Sequence, residues 1–310
     1  MKSSFTIIFT FFIASFMVAQ TGSFSMADLD YGLPTQTVTI KDDIKIAYSD
    51  QGKGSETILF IHGLASYIPA WKKNVSAIQT DYRCIAIDLP GYGKSSKGNY
   101  KVSMDFFAEV IHDFCVKLNI KNVVLAGHSM GGQIAITTAL KYPDLVSKLI
   151  LVAPAGFETF HKGQRQWFRD VMTVDGVRLT TVEQIRVNYA YNFYDMPDEA
   201  QFMIDDRIKI RAATDFTDYC YHITQGVNAM VDSPVFEFLP LLKQPTLCIF
   251  GANDNLIPNR FLNGGATEKF AREGAEKIPN CTLNLVEKGG HFIMFEKATE
   301  VNGLIKGFLK

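Results

Sequence analysis

Three side chains far apart in the sequence, Ser129, Asp254 and His291, have the types needed for nucleophilic acyl chemistry. Ser129 sits in Gly127-His128-Ser129-Met130-Gly131-Gly132, where an apolar run ends and a helix-forming run begins. A G-x-S-x-G turn between a strand and a helix lifts a hydroxyl clear of the sheet and sets the next backbone N–H beside it. A serine hydroxyl is a weak nucleophile and needs a general base. His291 follows Lys288-Gly289-Gly290, after the last strand-like run and before the last helix-like one, a place where an imidazole is reachable. Asp254, in Gly251-Ala252-Asn253-Asp254, follows another strand-like run; a carboxylate there could hold the imidazole's tautomer and stabilise its charged form. The plain alternatives are a structural turn for Ser129, a surface histidine for His291 and a turn-capping aspartate for Asp254. Glu158 is the runner-up acid.

An oxyanion formed in acyl transfer needs two preset N–H donors. The candidates are the backbone amides of Met130, which follows the serine, and Leu64, in His62-Gly63-Leu64 at the end of an earlier strand-like run. His62 reads as a brace for that loop. His112, His128, His161 and His222 lack a context for catalysis. Gly93-Lys94-Ser95 imitates the end of a phosphate-binding loop, but the first glycine of that motif is replaced by Asp88. As a dinucleotide fingerprint, Gly91-x-Gly93 lacks its third glycine, where Ser96 stands. No histidine or cysteine spacing indicates a metal site.

The elements that must position these residues alternate. Residues 37–40 and 44–50 read as an antiparallel hairpin, and 56–63, 82–89, 122–129, 146–154, 246–251 and 282–289 as strands. Helices are expected around 71–79 and over 103–118, 130–142, 266–277 and about 297–309. Continuous apolar strands, each followed by a helix, imply an α/β fold with a parallel sheet covered on both faces. The alternation breaks over 155–239, which has no strong strand signal and is rich in aromatics. This stretch reads as a mostly helical insertion over the sheet's C-terminal edge, splitting a core of residues 36–154 and 240–310. Its aromatics, with Met196, Met203 and Met230, either line an apolar acyl or aryl pocket or form the insertion's own core.

Charge is nearly balanced, at −1 over 310 residues, and no charged block points to nucleic acid or an anionic membrane surface. Lys2 precedes an apolar run over 5–19, shorter than the roughly 20 residues of a membrane span. It reads as an export signal over residues 1–27, cut after Ala27 (Ser25-Met26-Ala27) or after Ala19, giving a periplasmic or secreted protein. The alternative is an uncleaved anchor, which would be the chain's only membrane contact. Five scattered cysteines form no disulfide framework. Cys84 and Cys248, inside strand-like runs, read as buried thiols, and one bridge among Cys115, Cys220 and Cys281 stays open.

Together His62-Gly63, Asp88-Leu89-Pro90-Gly91-Tyr92-Gly93-Lys94-Ser95, Gly127-His128-Ser129-Met130-Gly131-Gly132, the Gly251–Pro258 turn and Gly290-His291-Phe292 resemble the α/β-hydrolase superfamily, over about 36–310. The resemblance implies an eight-stranded, mostly parallel sheet, a helical cap after the sixth strand and no cofactor. Serine at position 129 sets the chain apart from members with an aspartate nucleophile and makes it similar to esterases, lipases, thioesterases and carbon–carbon bond hydrolases. The expected activity is hydrolysis of an ester or related acyl bond of a small, largely apolar substrate through an acyl-enzyme. The alternatives are cleavage of a carbon–carbon bond next to a ketone, and a slow-turnover ligand receptor on the same fold. Esters against ring-cleavage diketones separate the first two; labelling of Ser129 without turnover marks the third.

Overall fold

The computed structural model describes residues 23–310. The apolar run over 5–19 and the site after Ala19 lie outside the described residues. Two strands, β1 (Gln36–Thr39) and β2 (Lys45–Gln51), form the expected antiparallel hairpin around a short turn at Lys41–Asp43. The remaining strands are β3 (Thr57–Ile61), β4 (Arg83–Ile87), β5 (Val123–His128), β6 (Val146–Val152), β7 (Thr246–Gly251) and β8 (Cys281–Val286). All eight join one sheet in the order β1-β2-β4-β3-β5-β6-β7-β8. Only the β1–β2 and β2–β4 pairs are antiparallel.

The helices are α1 (Lys72–Ile78), α2 (Met104–Lys117), α3 (Met130–Lys141), α4 (Lys162–Val171), α5 (Val174–Arg178), α6 (Val182–Tyr191), α7 (Gln201–Lys209), α8 (Phe216–Asp232), α9 (Thr267–Glu276), α10 (Ile293–Glu296) and α11 (Ala298–Leu309). Every residue of β5 and β7 is buried, which requires cover on both sheet faces. That is why these strands read as continuous apolar runs. The first turn of α2 is capped by Ser103, whose hydroxyl accepts from the Phe106 N–H at 3.0 Å.

Between β6 and β7 the chain forms the five helices α4 to α8 and no strand. Three of them start on side-chain caps, His161, Thr173 and Thr181. His161, one of the histidines without catalytic context, thus has a structural job at the start of α4. Among the described residues no helix is long and apolar enough to cross a membrane.

The segment just before β1 is packed against the fold. Met26, Leu29 and Tyr31 are buried. The Met26 N–H donates to Asp215 Oδ1 at 3.0 Å, and the Phe24 carbonyl accepts from the Thr214 N–H at 2.9 Å. All five cysteines carry free thiols; Cys281 Sγ lies 3.5 Å from Cys248 Sγ on the neighbouring strand, a proximity the sequence did not indicate.

Candidate active site

At the C-terminal end of β5 the chain turns directly into α3, and Ser129 occupies the turn with φ 52° and ψ −118°. A non-glycine residue held there stores roughly 1–3 kcal/mol of strain, which the surroundings must over-determine. The Ser129 N–H donates to the Val152 carbonyl at 3.0 Å, and its carbonyl accepts from Gly132, Gln133 and Ala155. The flanking glycines are needed for close approach: a Cβ on Gly127 would run into the Gly131 backbone, and one on Gly131 into the carbonyls of Ile61 and His62. Ser129 is partly exposed, and its hydroxyl makes no hydrogen bond within the described residues.

His291 and Asp254, 37 positions apart, meet at the ends of β8 and β7: His291 Nδ1 lies 2.8 Å from Asp254 Oδ2. The carboxylate accepts, so Nδ1 carries the proton and Nε2 is the basic nitrogen. The other carboxylate oxygen accepts from the Leu256 N–H at 2.7 Å and the Ile257 N–H at 3.1 Å. The Asp254 carboxylate is fully buried and the His291 side chain nearly so. Ser129 and His291 line one cavity of about 370 Å³ with Phe160, Phe168, Val227 and Met230. The structure therefore gathers Ser129, His291 and Asp254 at one end of the sheet.

Leu64 also lines this cavity. Its loop abuts the elbow, since a Cβ on Gly63 would lie 3.1 Å from Ser129 Cβ. Met130 is the first residue of α3, so its N–H has no carbonyl within the helix to serve. His62 is fully buried and neutral: Nδ1–H donates to the Gly63 carbonyl at 2.7 Å, and Nε2 accepts from the Leu89 N–H at 3.0 Å. Burial lowers its pKa to about 4. It braces the loop, as its position suggested. Asp88 is the hub of the Gly-rich loop, accepting from Ile68 N–H, Lys94 N–H and Tyr31 O–H, each at 2.7 Å. Burial raises its pKa to about 6 despite those donors. Glu158 borders the cavity but bonds Asn259 N–H and Asn263 Nδ2 rather than the imidazole; burial raises its pKa.

The pool of aromatics and methionines in the insertion divides. Phe160, Phe168 and Met230 face the cavity, whereas Phe157, Phe193 and Met203 are buried in the core and Trp167 and Tyr194 are exposed. Helix α8 packs tightly here: a Cβ on Gly226 would lie 2.8 Å from Leu64 Cδ1 and 2.7 Å from Tyr92 Oη.

Three contributors had no clear sequence signal. Glu296 accepts from the N–H groups of Gly290, Tyr194 and Asp195, tying the histidine loop to the insertion. His128 lines the cavity beside Ser129. Arg207 is buried; its Nη2 donates to the Val177 carbonyl at 3.5 Å, and its Nη1 has no partner among the described residues. It borders a second cavity of about 330 Å³ that shares Leu64, Met172, Asn192 and Phe292 with the first.

Residues 56–298 match the family model for the alpha/beta hydrolase fold. The chain belongs to the alpha/beta hydrolase family. Among similar curated proteins, the dihydrolipoyllysine-residue acetyltransferase component of the acetoin cleaving system of Cupriavidus necator is 26% identical, over 86% of this chain and 67% of its own length. The Escherichia coli K12 2-hydroxy-6-oxononadienedioate/2-hydroxy-6-oxononatrienedioate hydrolase is also 26% identical, over 86% of this chain and 91% of its own. A probable hydrolytic enzyme from Pseudomonas aeruginosa PAO1 shares the fold with a TM-score of 0.81 at 24% identity, covering 93% of this chain and 98% of that one. This alpha/beta hydrolase is an enzyme of the hydrolase class, and its candidate site lies where β5, β7 and β8 end.

Proposed function

We propose that this hydrolase cleaves a carboxylic ester, or a closely related acyl bond, of a small, largely apolar substrate through an acyl-enzyme. Ser129 Oγ attacks the carbonyl carbon while His291 Nε2 takes its proton. Asp254 holds the Nδ1 proton and stabilises the imidazolium. The Leu64 and Met130 N–H groups receive the charge that builds on the carbonyl oxygen. His291 then protonates the leaving group and activates the water that releases the acid. The observation that carries this reading is the 2.8 Å His291–Asp254 contact beside a strained serine in one cavity. The apolar lining supports an acyl or aryl group as the part bound there. The test is a series of nitrophenyl esters of increasing acyl length; saturable turnover with one preferred length is expected, and no turnover across the series refutes it.

A second reading, carbon–carbon bond cleavage by the same residues, is favoured by Arg207. A buried guanidinium with a free donor beside the catalytic cavity suits a substrate carrying a carboxylate. The similar Escherichia coli protein is named for dioate substrates. Arg207→Met should raise KM for acidic diketones at least tenfold and leave neutral esters within twofold. Equal effects on both substrates would remove this reading. Export through the N-terminal apolar run is likewise our inference.

A further inference from the structure

Between the elbow and the base stands a second imidazole to which the mechanism above gives no task. His128 is buried, its ring centroid 4.8 Å from that of His291 and 4.7 Å from that of Phe292. Its Nε2 lies 3.0 Å from the His291 carbonyl oxygen. A carbonyl only accepts, so His128 Nε2 carries the proton and donates. Its Nδ1 is buried without a partner, and a Cβ on Gly63 would lie 2.9 Å from it.

We propose that His128 is a positioning residue: its Nε2–H clamps the His291 main chain to the residue preceding the nucleophile, setting the distance between base and serine. Backbone continuity fixes one end of this clamp, since His128 and Ser129 are adjacent. The hydrogen bond fixes the other. The histidine loop has other anchors, Phe292 N–H on the Asn192 carbonyl and Gly290 N–H on Glu296, but these tie it to the insertion and to its own helix. Among the bonds described, His128 is the side chain that ties His291 directly to the nucleophile's strand.

The environment keeps the clamp in one protonation state. Burial and the facing imidazoles of His291 and His62 hold His128 well below the usual histidine range. A proton on Nδ1 would be a second donor without an acceptor. A neutral His128 also leaves His291 free to become an imidazolium during turnover without a like charge stacked on it.

This inference rests on the serine-hydrolase reading, and the test separates the two. Gln places an amide nitrogen where Nε2 sits, whereas Asn places one near Nδ1. His128→Gln should retain kcat within about threefold of wild type. His128→Asn and His128→Phe should lose at least tenfold in kcat, a loss that the Gln variant alone avoids because only it restores a donor at the Nε2 position. Full kcat in the Asn and Phe variants, or a Gln variant as impaired as Asn, overturns the proposal. Ser129→Ala, run alongside, reports on the parent reading: turnover there would defeat that reading whatever the His128 series does. If the variants do not fold, imidazole nitrogen NMR of the wild type decides. A proton on His128 Nε2 from pH 5 to 8 is expected, and one on Nδ1 overturns the clamp.

Discussion

Replacing Asp254 by Asn changes one atom, and the structure dictates which way that atom points. Oδ1 faces the N–H groups of Leu256 and Ile257, and Oδ2 faces His291 Nδ1. An amide NH2 on the Oδ1 side would set donor against two buried donors, at about 1–3 kcal/mol for each unmet group. The asparagine therefore keeps its oxygen on the loop and turns its NH2 toward His291. Nδ1 must then accept, the imidazole proton moves to Nε2, and the base is blocked. The wrong tautomer in a Ser-His-Asp arrangement is worth about 10⁴ in kcat, or about 5 kcal/mol of transition-state stabilisation. Because both loop bonds survive, the variant should unfold within a few degrees of wild type. Initial rates on a nitrophenyl ester, with a thermal melt on the same sample, measure both quantities. A folded Asp254→Asn enzyme within tenfold of wild-type kcat would refute the claim that Asp254 fixes the tautomer.

Two further predictions concern stability. His62 titrates near pH 4 in the fold against about 6.5 when unfolded, so the unfolded chain binds more protons between those values and stability falls on acidification, by about 3 kcal/mol for this residue alone. Asp88, raised to about 6 from 3.8, acts with the opposite sign over an overlapping window. Urea midpoints between pH 5 and 7.5 should fall with acidification in the wild type, less steeply in His62→Gln and more steeply in Asp88→Asn; unchanged slopes would contradict these assignments. A chain beginning at Asp28 loses the buried Met26 side chain and the bonds from Thr214 N–H to Phe24 and from Met26 N–H to Asp215. At about 2 kcal/mol for the side chain and about 1 for each bond, its melting point should lie roughly 10 °C below that of a chain beginning at Gln20. Equal melting points would show that the segment contributes nothing.

The sheet was legible because buried parallel strands are apolar through their middles, as residues 123–126 and 247–250 are. Element ends shifted by up to three residues where the expected run continued into a turn, as it does over Glu287-Lys288-Gly289 after Cys281–Val286. The short helix α10 escaped notice because four residues carry no periodicity. In the site, Ser129, Asp254 and His291 announced themselves through strand-end turns with fixed chain order. The contributors that escaped act through space. Arg207 lies within an ordinary helical pattern and becomes distinctive only when its guanidinium is found buried without an anion. Glu296 reads as a surface acid until three N–H groups converge on it. The segment 24–31 lacks any strand or helix pattern, and its tie to Thr214 and Asp215 spans most of the chain.

The most direct measurement is covalent capture of the nucleophile. Incubation with a fluorophosphonate, followed by peptide mass spectrometry, should place one phosphonyl group on Ser129 and extinguish ester turnover in proportion. His291→Ala should slow that labelling by orders of magnitude. A fully labelled enzyme with the group on another residue, or undiminished turnover after complete labelling of Ser129, would contradict the account.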